Sequence, residues 1–269
     1  MITALVLTFM LVWVNLIDNL RWRYGIIGFS TVLAPIMTAW SMKEVWVGLS
    51  RGMTLILPLM LMLGAAMFTF LLPDVVPGIG NWFWGVDVGL WIGWILRIVF
   101  WSAYGFAVYL LLLTENIFAV SAIRTIPLVR AASVAGYLLT LVSAFFLYYA
   151  ILSFRLPYYY NFLYVGLVSF PLILQSLWSV SLGERITKSL SYVTFVLAWA
   201  LMQLVAVLSF WDMSVGVISV LMTVWLYVLL GICQHWLIRR LFVRTVWEYV
   251  GLGCFVCTVV GIYYWAFLT

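Results

Sequence analysis

The chain has 269 residues, of which 67% are hydrophobic and only 8% charged, with a net charge of +5. A water-soluble globule cannot cover that much apolar surface, so the composition excludes one. The basic excess is scattered over several short segments instead of one patch, which argues against nucleic acid as a partner.

Nine apolar runs follow one another near 1–17, 24–41, 52–72, 90–113, 131–152, 161–182, 189–210, 214–234 and 246–268. Each approaches the roughly 20 residues that a helix needs to cross a hydrocarbon core of about 30 Å. Lipid offers no partners to backbone N–H and C=O groups, and the runs lack the short dyad alternation of a membrane barrel. The expectation is therefore an all-α fold: a polytopic helical membrane bundle of about nine transmembrane helices, forming one integral-membrane domain over 1–269.

The first run is crowded at its end by Asn15 and Asp18, and whether it spans fully is left open. It has no basic leader and no small-x-small cleavage site, so it reads as a retained signal anchor. Pro35, Pro58 and Pro171 fall inside the second, third and sixth runs, where each removes a helix hydrogen bond and frees a carbonyl that could line a cavity. Arg97 is the one basic residue well inside a run, about two turns from its start, with Asp87 and Asp74 as plausible partners. Gln175, four residues beyond Pro171, and Gln203 on the next helix are the other candidates for an intramembrane polar site; interhelical hydrogen bonding is the plainer alternative.

The segment 114–130 is half apolar without a clean helical stripe, so it is expected to fold against the bundle or lie among headgroups. Glu115, Asn116, Arg124 and Arg130 form its candidate interfacial site, arginines suiting lipid phosphates and a Glu–Arg pair simply tying the loop down. Trp82, Trp84, Trp91 and Trp94 at one end of the fourth run, and Tyr158, Tyr159, Tyr160 and Tyr164 at the start of the sixth, suit the headgroup level. His235 stands where the eighth run meets a basic loop and has no metal-ligand partners at useful spacing. Arg244 and Glu248 are spaced for a helix-surface pair. Cys254 and Cys257 form a CxxC, but Gly253, Cys257 and Gly261 also make a small-residue ridge that lets a neighbouring helix approach, which explains the spacing better than redox chemistry.

The connecting segments alternate in basic residues. Lys43 and Arg51, Arg124 and Arg130, Arg185 and Lys188, and Arg239, Arg240 and Arg244 fall in even gaps; Arg21, Arg23 and Arg155 fall in odd ones. The positive-inside rule then puts the N-terminus inside and the C-terminus outside, with Arg21 and Arg23 as a local exception.

At TENIFAVSAIRTIPLVRAA (114–132), RLPYYYNFLYVGLVSFPLILQSLWSVSLGERI (155–186) and LIRRLFVRTVWEYV (237–250), the chain resembles uncharacterised multi-pass membrane proteins of small-genome, candidate-phyla bacteria. The resemblance implies a bacterial cytoplasmic membrane protein and carries no activity and no functional residues with it.

No Walker A, HExxH or GxSxG motif occurs, and no cofactor or metal is expected. The foremost reading is a non-enzymatic component of a membrane assembly, with lipids and other membrane subunits as partners. A transporter or channel for a small or amphipathic solute is the alternative, and a lipid-modifying enzyme using Glu115, Asn116 and Arg124 is the third.

Overall fold

The computed structural model describes residues 2–16, 20–41, 50–72, 88–121, 127–181 and 188–268. Among these there are nine α-helices and no strand: α1 (Ile2–Leu16), α2 (Leu20–Ser41), α3 (Ser50–Thr69), α4 (Val88–Ser121), α5 (Val129–Ser153), α6 (Tyr158–Ser181), α7 (Lys188–Leu208), α8 (Val215–Leu237) and α9 (Val243–Leu268). The protein is a polytopic helical membrane bundle. Eight of these helices are long and apolar enough to cross a bilayer, and α1, with 15 residues, is shorter.

Helix α5 is the axis of the bundle and packs against α3, α4, α6 and α8. Helices α6 and α7 form the most extensive pair, α1 and α2 lie against α4 and α3, and α9 leans on α8. The α5–α6 and α7–α8 turns line one cavity and so share an end, here termed the tyrosine end. The opposite, arginine end carries Arg130, Lys188 and the α8–α9 turn with Arg239 and Arg240.

Close approach comes from small residues, the usual device where lipid removes any hydrophobic drive between helices. A Cβ at Gly64 would come 3.0 Å from Leu147, and one at Gly136 would come 3.2 Å from Phe118. The ring of Tyr249 lies over Gly231, fixing α9 to α8. Of the expected α9 ridge, Gly253 meets Val228 of α8, whereas Cys254 and Cys257 are exposed free thiols.

Most buried hydroxyls are turned into their own helices. Thr140, Ser143, Thr194, Thr38 and Ser219 each donate to the carbonyl four residues back. Such groups are satisfied without a neighbouring helix. Bonds between helices are fewer: Tyr148 Oη and Ser169 Oγ (2.7 Å), Tyr137 Oη to the Tyr227 carbonyl (2.7 Å) and Tyr104 Oη to Met62 Sδ (2.7 Å).

Three expectations change. The fourth apolar run does not stop at 113: α4 continues to Ser121, so the first half of the supposed loop is transmembrane-type helix. Arg21 and Arg23 lie on α2, not in a gap, and Arg23 Nε donates to the Val14 carbonyl at 3.0 Å while its guanidinium stacks 4.7 Å over Phe70. A donor on an orphan carbonyl in the last turn of α1 gives that arginine a structural reason to be there. The third concerns the prolines: α2, α3 and α6 run unbroken through Pro35, Pro58 and Pro171.

Candidate functional site

Two polar regions stand out, one at each end of the bundle. Toward the arginine end, α4 presents Tyr104, Val108, Leu111, Glu115 and Phe118 inward at alternating spacings of four and three. Glu115 is thereby fully buried, and Gln175 of α6 is buried beside it. Gln175 Nε2 donates to Glu115 Oε1 at 2.7 Å. Glu115 Oε2 and Gln175 Oε1 have no hydrogen-bond partner, and Glu115 makes no ion pair among the described residues. Each lies six residues before the end of its helix, about 9 Å along the axis. A Cβ on Gly136 of α5 would meet Phe118 and Thr114, on the segment of α4 that carries Glu115. One residue on, Gln234 of α8 donates from Nε2 to Ser176 Oγ at 2.9 Å, extending the polar layer to a third helix.

This pair joins one residue from each predicted cluster, and the predicted clusters themselves do not assemble. Asn116 and Arg130 are exposed, so the interfacial group with Glu115 is not brought together; Arg124 lies outside the described residues. Gln203 is exposed on α7 and shares nothing with Gln175. Arg97 is largely buried, with its guanidinium 5.8 Å from the Trp94 ring centre; Asp74 and Asp87 lie outside the described residues. Arg244 and Glu248 do pair, at 3.1 Å. Among the described residues no group of three or more His, Cys, Asp or Glu could hold a metal ion.

At the tyrosine end, the α5–α6 and α7–α8 turns line an open cavity of about 590 Å³. Arg155, Asn161, Ser209, Asp212 and Ser214 line it, beside Tyr158 and Trp211. Arg155 sits just past the end of α5 with φ of 49°, the left-handed position that glycine usually takes at a helix end. Holding a residue with a Cβ there costs about 1 kcal/mol. Arg155 and Asp212 face the same cavity, yet neither makes a side-chain hydrogen bond or ion pair among the described residues. Asn161 is buried; its Nδ2 donates to the Leu156 carbonyl at 3.1 Å and its Oδ1 has no partner. Ser214, the residue before α8, makes no side-chain cap, so the first-turn N–H groups of α8 are not satisfied by it. Its own N–H donates to Tyr264 Oη of α9 at 2.7 Å.

Trp211, Asp212 and Met213 also belong to a second, apolar groove of about 520 Å³ between α7, α8 and α9, which runs past Leu204, Trp225 and Cys257. Another apolar groove of about 400 Å³ lies between α3, α5 and α6, along Leu63, Leu147 and Leu167. Neither Glu115 nor Gln175 lines these cavities. Sequence reasoning missed Asn161, Asp212 and Gln234; an Asn four residues after Pro157 and an Asp in a six-residue turn were the available signals.

Comparison with protein-family models, curated protein sequences and solved structures gives no match for this chain.

Proposed function

We propose that the protein is a non-catalytic, lipid-contacting component of a cytoplasmic membrane, oriented with its arginine end inside. The observation that carries this reading is the pairing of a polar cavity with an apolar groove through shared residues at the tyrosine end. A head-and-tail cleft of that kind fits an amphiphile that enters sideways from the bilayer. The tight core supports the same reading, because its buried hydroxyls are spent within their own helices. The test is thermal unfolding of the full chain in detergent, with and without added bilayer lipid extract. Lipid should raise the midpoint by several degrees, and an unchanged midpoint overturns the reading.

Transport of a small solute has one observation in its favour, the sealed Glu115–Gln175 pair with two unpartnered oxygens. Buried carboxyls of this kind relay protons in membrane carriers. Proteoliposomes with a trapped pH dye test it. Acidification under an imposed potential that E115Q abolishes would establish a proton path, and equal traces for both proteins would dismiss it.

A further inference from the structure

We infer that the cavity at the tyrosine end is a binding site for one phospholipid with a phosphoethanolamine headgroup, its acyl chain lying in the groove between α7, α8 and α9. The inference rests on the lipid-contacting reading above and names its ligand. Two features of the cavity, Arg155 and the start of α8, call for an anion. Arg155 has no anionic partner among the described residues, α8 begins without a side-chain cap, and a helix N-terminus carries partial positive charge toward an approaching phosphate. Two features call for a hydrogen-bonding cation. Asp212 lines the same space without a partner, and buried Asn161, only 5% exposed, has an amide oxygen that accepts nothing. A free carboxylate and a free guanidinium around one cavity, not joined to each other, leave space for a molecule that carries both opposite charges.

The remaining features place that molecule in a membrane. The cavity continues through Trp211, Asp212 and Met213 into a groove whose other walls include Leu204, Val207, Leu221 and Val260. Tyr158 and Trp211, both exposed at this end, are ring types that settle at headgroup level. A soluble zwitterion would leave the groove empty. A lipid without a primary amine would leave Asp212 and Asn161 unused, and a choline headgroup has no N–H to donate to them.

Native mass spectrometry of the detergent-solubilised full chain tests this, with palmitoyl-oleoyl phosphatidylethanolamine, phosphatidylcholine and phosphatidylglycerol offered singly and in competition. The wild type should retain one phosphatidylethanolamine about tenfold over either competitor, which is about 1.4 kcal/mol. Asp212→Asn should bring phosphatidylethanolamine down to the phosphatidylcholine level without changing phosphatidylcholine. Arg155→Gln should weaken all three by about tenfold, with Arg155→Lys retaining most of the binding; gel filtration and circular dichroism report whether each variant is folded. Equal retention of the three lipids by the wild type overturns the inference without needing any variant. So does full displacement by soluble phosphoethanolamine at matched concentration, or unchanged selectivity in folded Asp212→Asn. If lipid extract still raises the unfolding midpoint in those cases, the broader lipid-contacting reading survives; if it does not, both fall.

Discussion

Glu115 and Gln175 meet where neither can reach water, so each depends on the other for its hydrogen bonding. Truncating one partner strands the other, and a stranded buried polar group costs more than the bond itself was worth. Glu115→Ala should lower stability by about 2–4 kcal/mol, from the lost bond and the cavity together. Glu115→Gln keeps an acceptor for Gln175 Nε2 and adds a donor for Gln175 Oε1, so it should stay within about 1 kcal/mol of the wild type. Urea or thermal unfolding in one detergent compares the two, and equal losses would mean that the pair contributes no specific bond. The residue types were visible in the sequence but their grouping was not. Polar residues at 114–116 look like the end of an apolar run, yet the inward stripe Tyr104, Val108, Leu111 continues to Glu115 and Phe118 at helical spacing. The turn of about 100° per residue then sends Asn116 outward while Glu115 points in. Hydropathy averages over that rotation, whereas periodicity preserves it. Asn161 and Asp212 could not be grouped by any local pattern, because the cavity joins two turns some fifty residues apart in sequence.

The nine apolar runs match the nine helices to within a few residues everywhere but the end of α4, because lipid enforces length and leaves backbone groups only helical partners. Which helices touch is a matter of small residues, and these the sequence showed only as scattered glycines. At Gly136 an added methyl would meet Phe118 at 3.2 Å and Thr114 at 3.4 Å, on the α4 segment that carries Glu115. Gly136→Ala should therefore destabilise by about 1–3 kcal/mol, read from the same unfolding curves. Helix α9 is the least enclosed of the candidate spans. Its thiols are exposed, whereas Cys233 on α8 is half-buried. N-ethylmaleimide, which partitions into micelles, should modify Cys254 and Cys257 well before Cys233, as peptide mass spectrometry would show. The reverse order would mean that α9 is covered by another chain or packs elsewhere.

For the whole molecule, the orientation drawn from the arginines makes a sharp demand. In a variant lacking the three native cysteines, Lys188→Cys should react with a membrane-impermeant maleimide only from the cytoplasmic side, and Tyr159→Cys only from the far side. The opposite labelling would invert the protein without altering its fold. Helix α4 adds a constraint of its own. Its 34 residues extend about 51 Å, against a hydrocarbon layer of about 30 Å. Even with tilt its two extremities emerge from the oil, which brings the acid on its penultimate turns close to the boundary with water. A transient fraying of those final turns, with every other rod left standing, is then all that is required to let a water molecule touch the carboxyl.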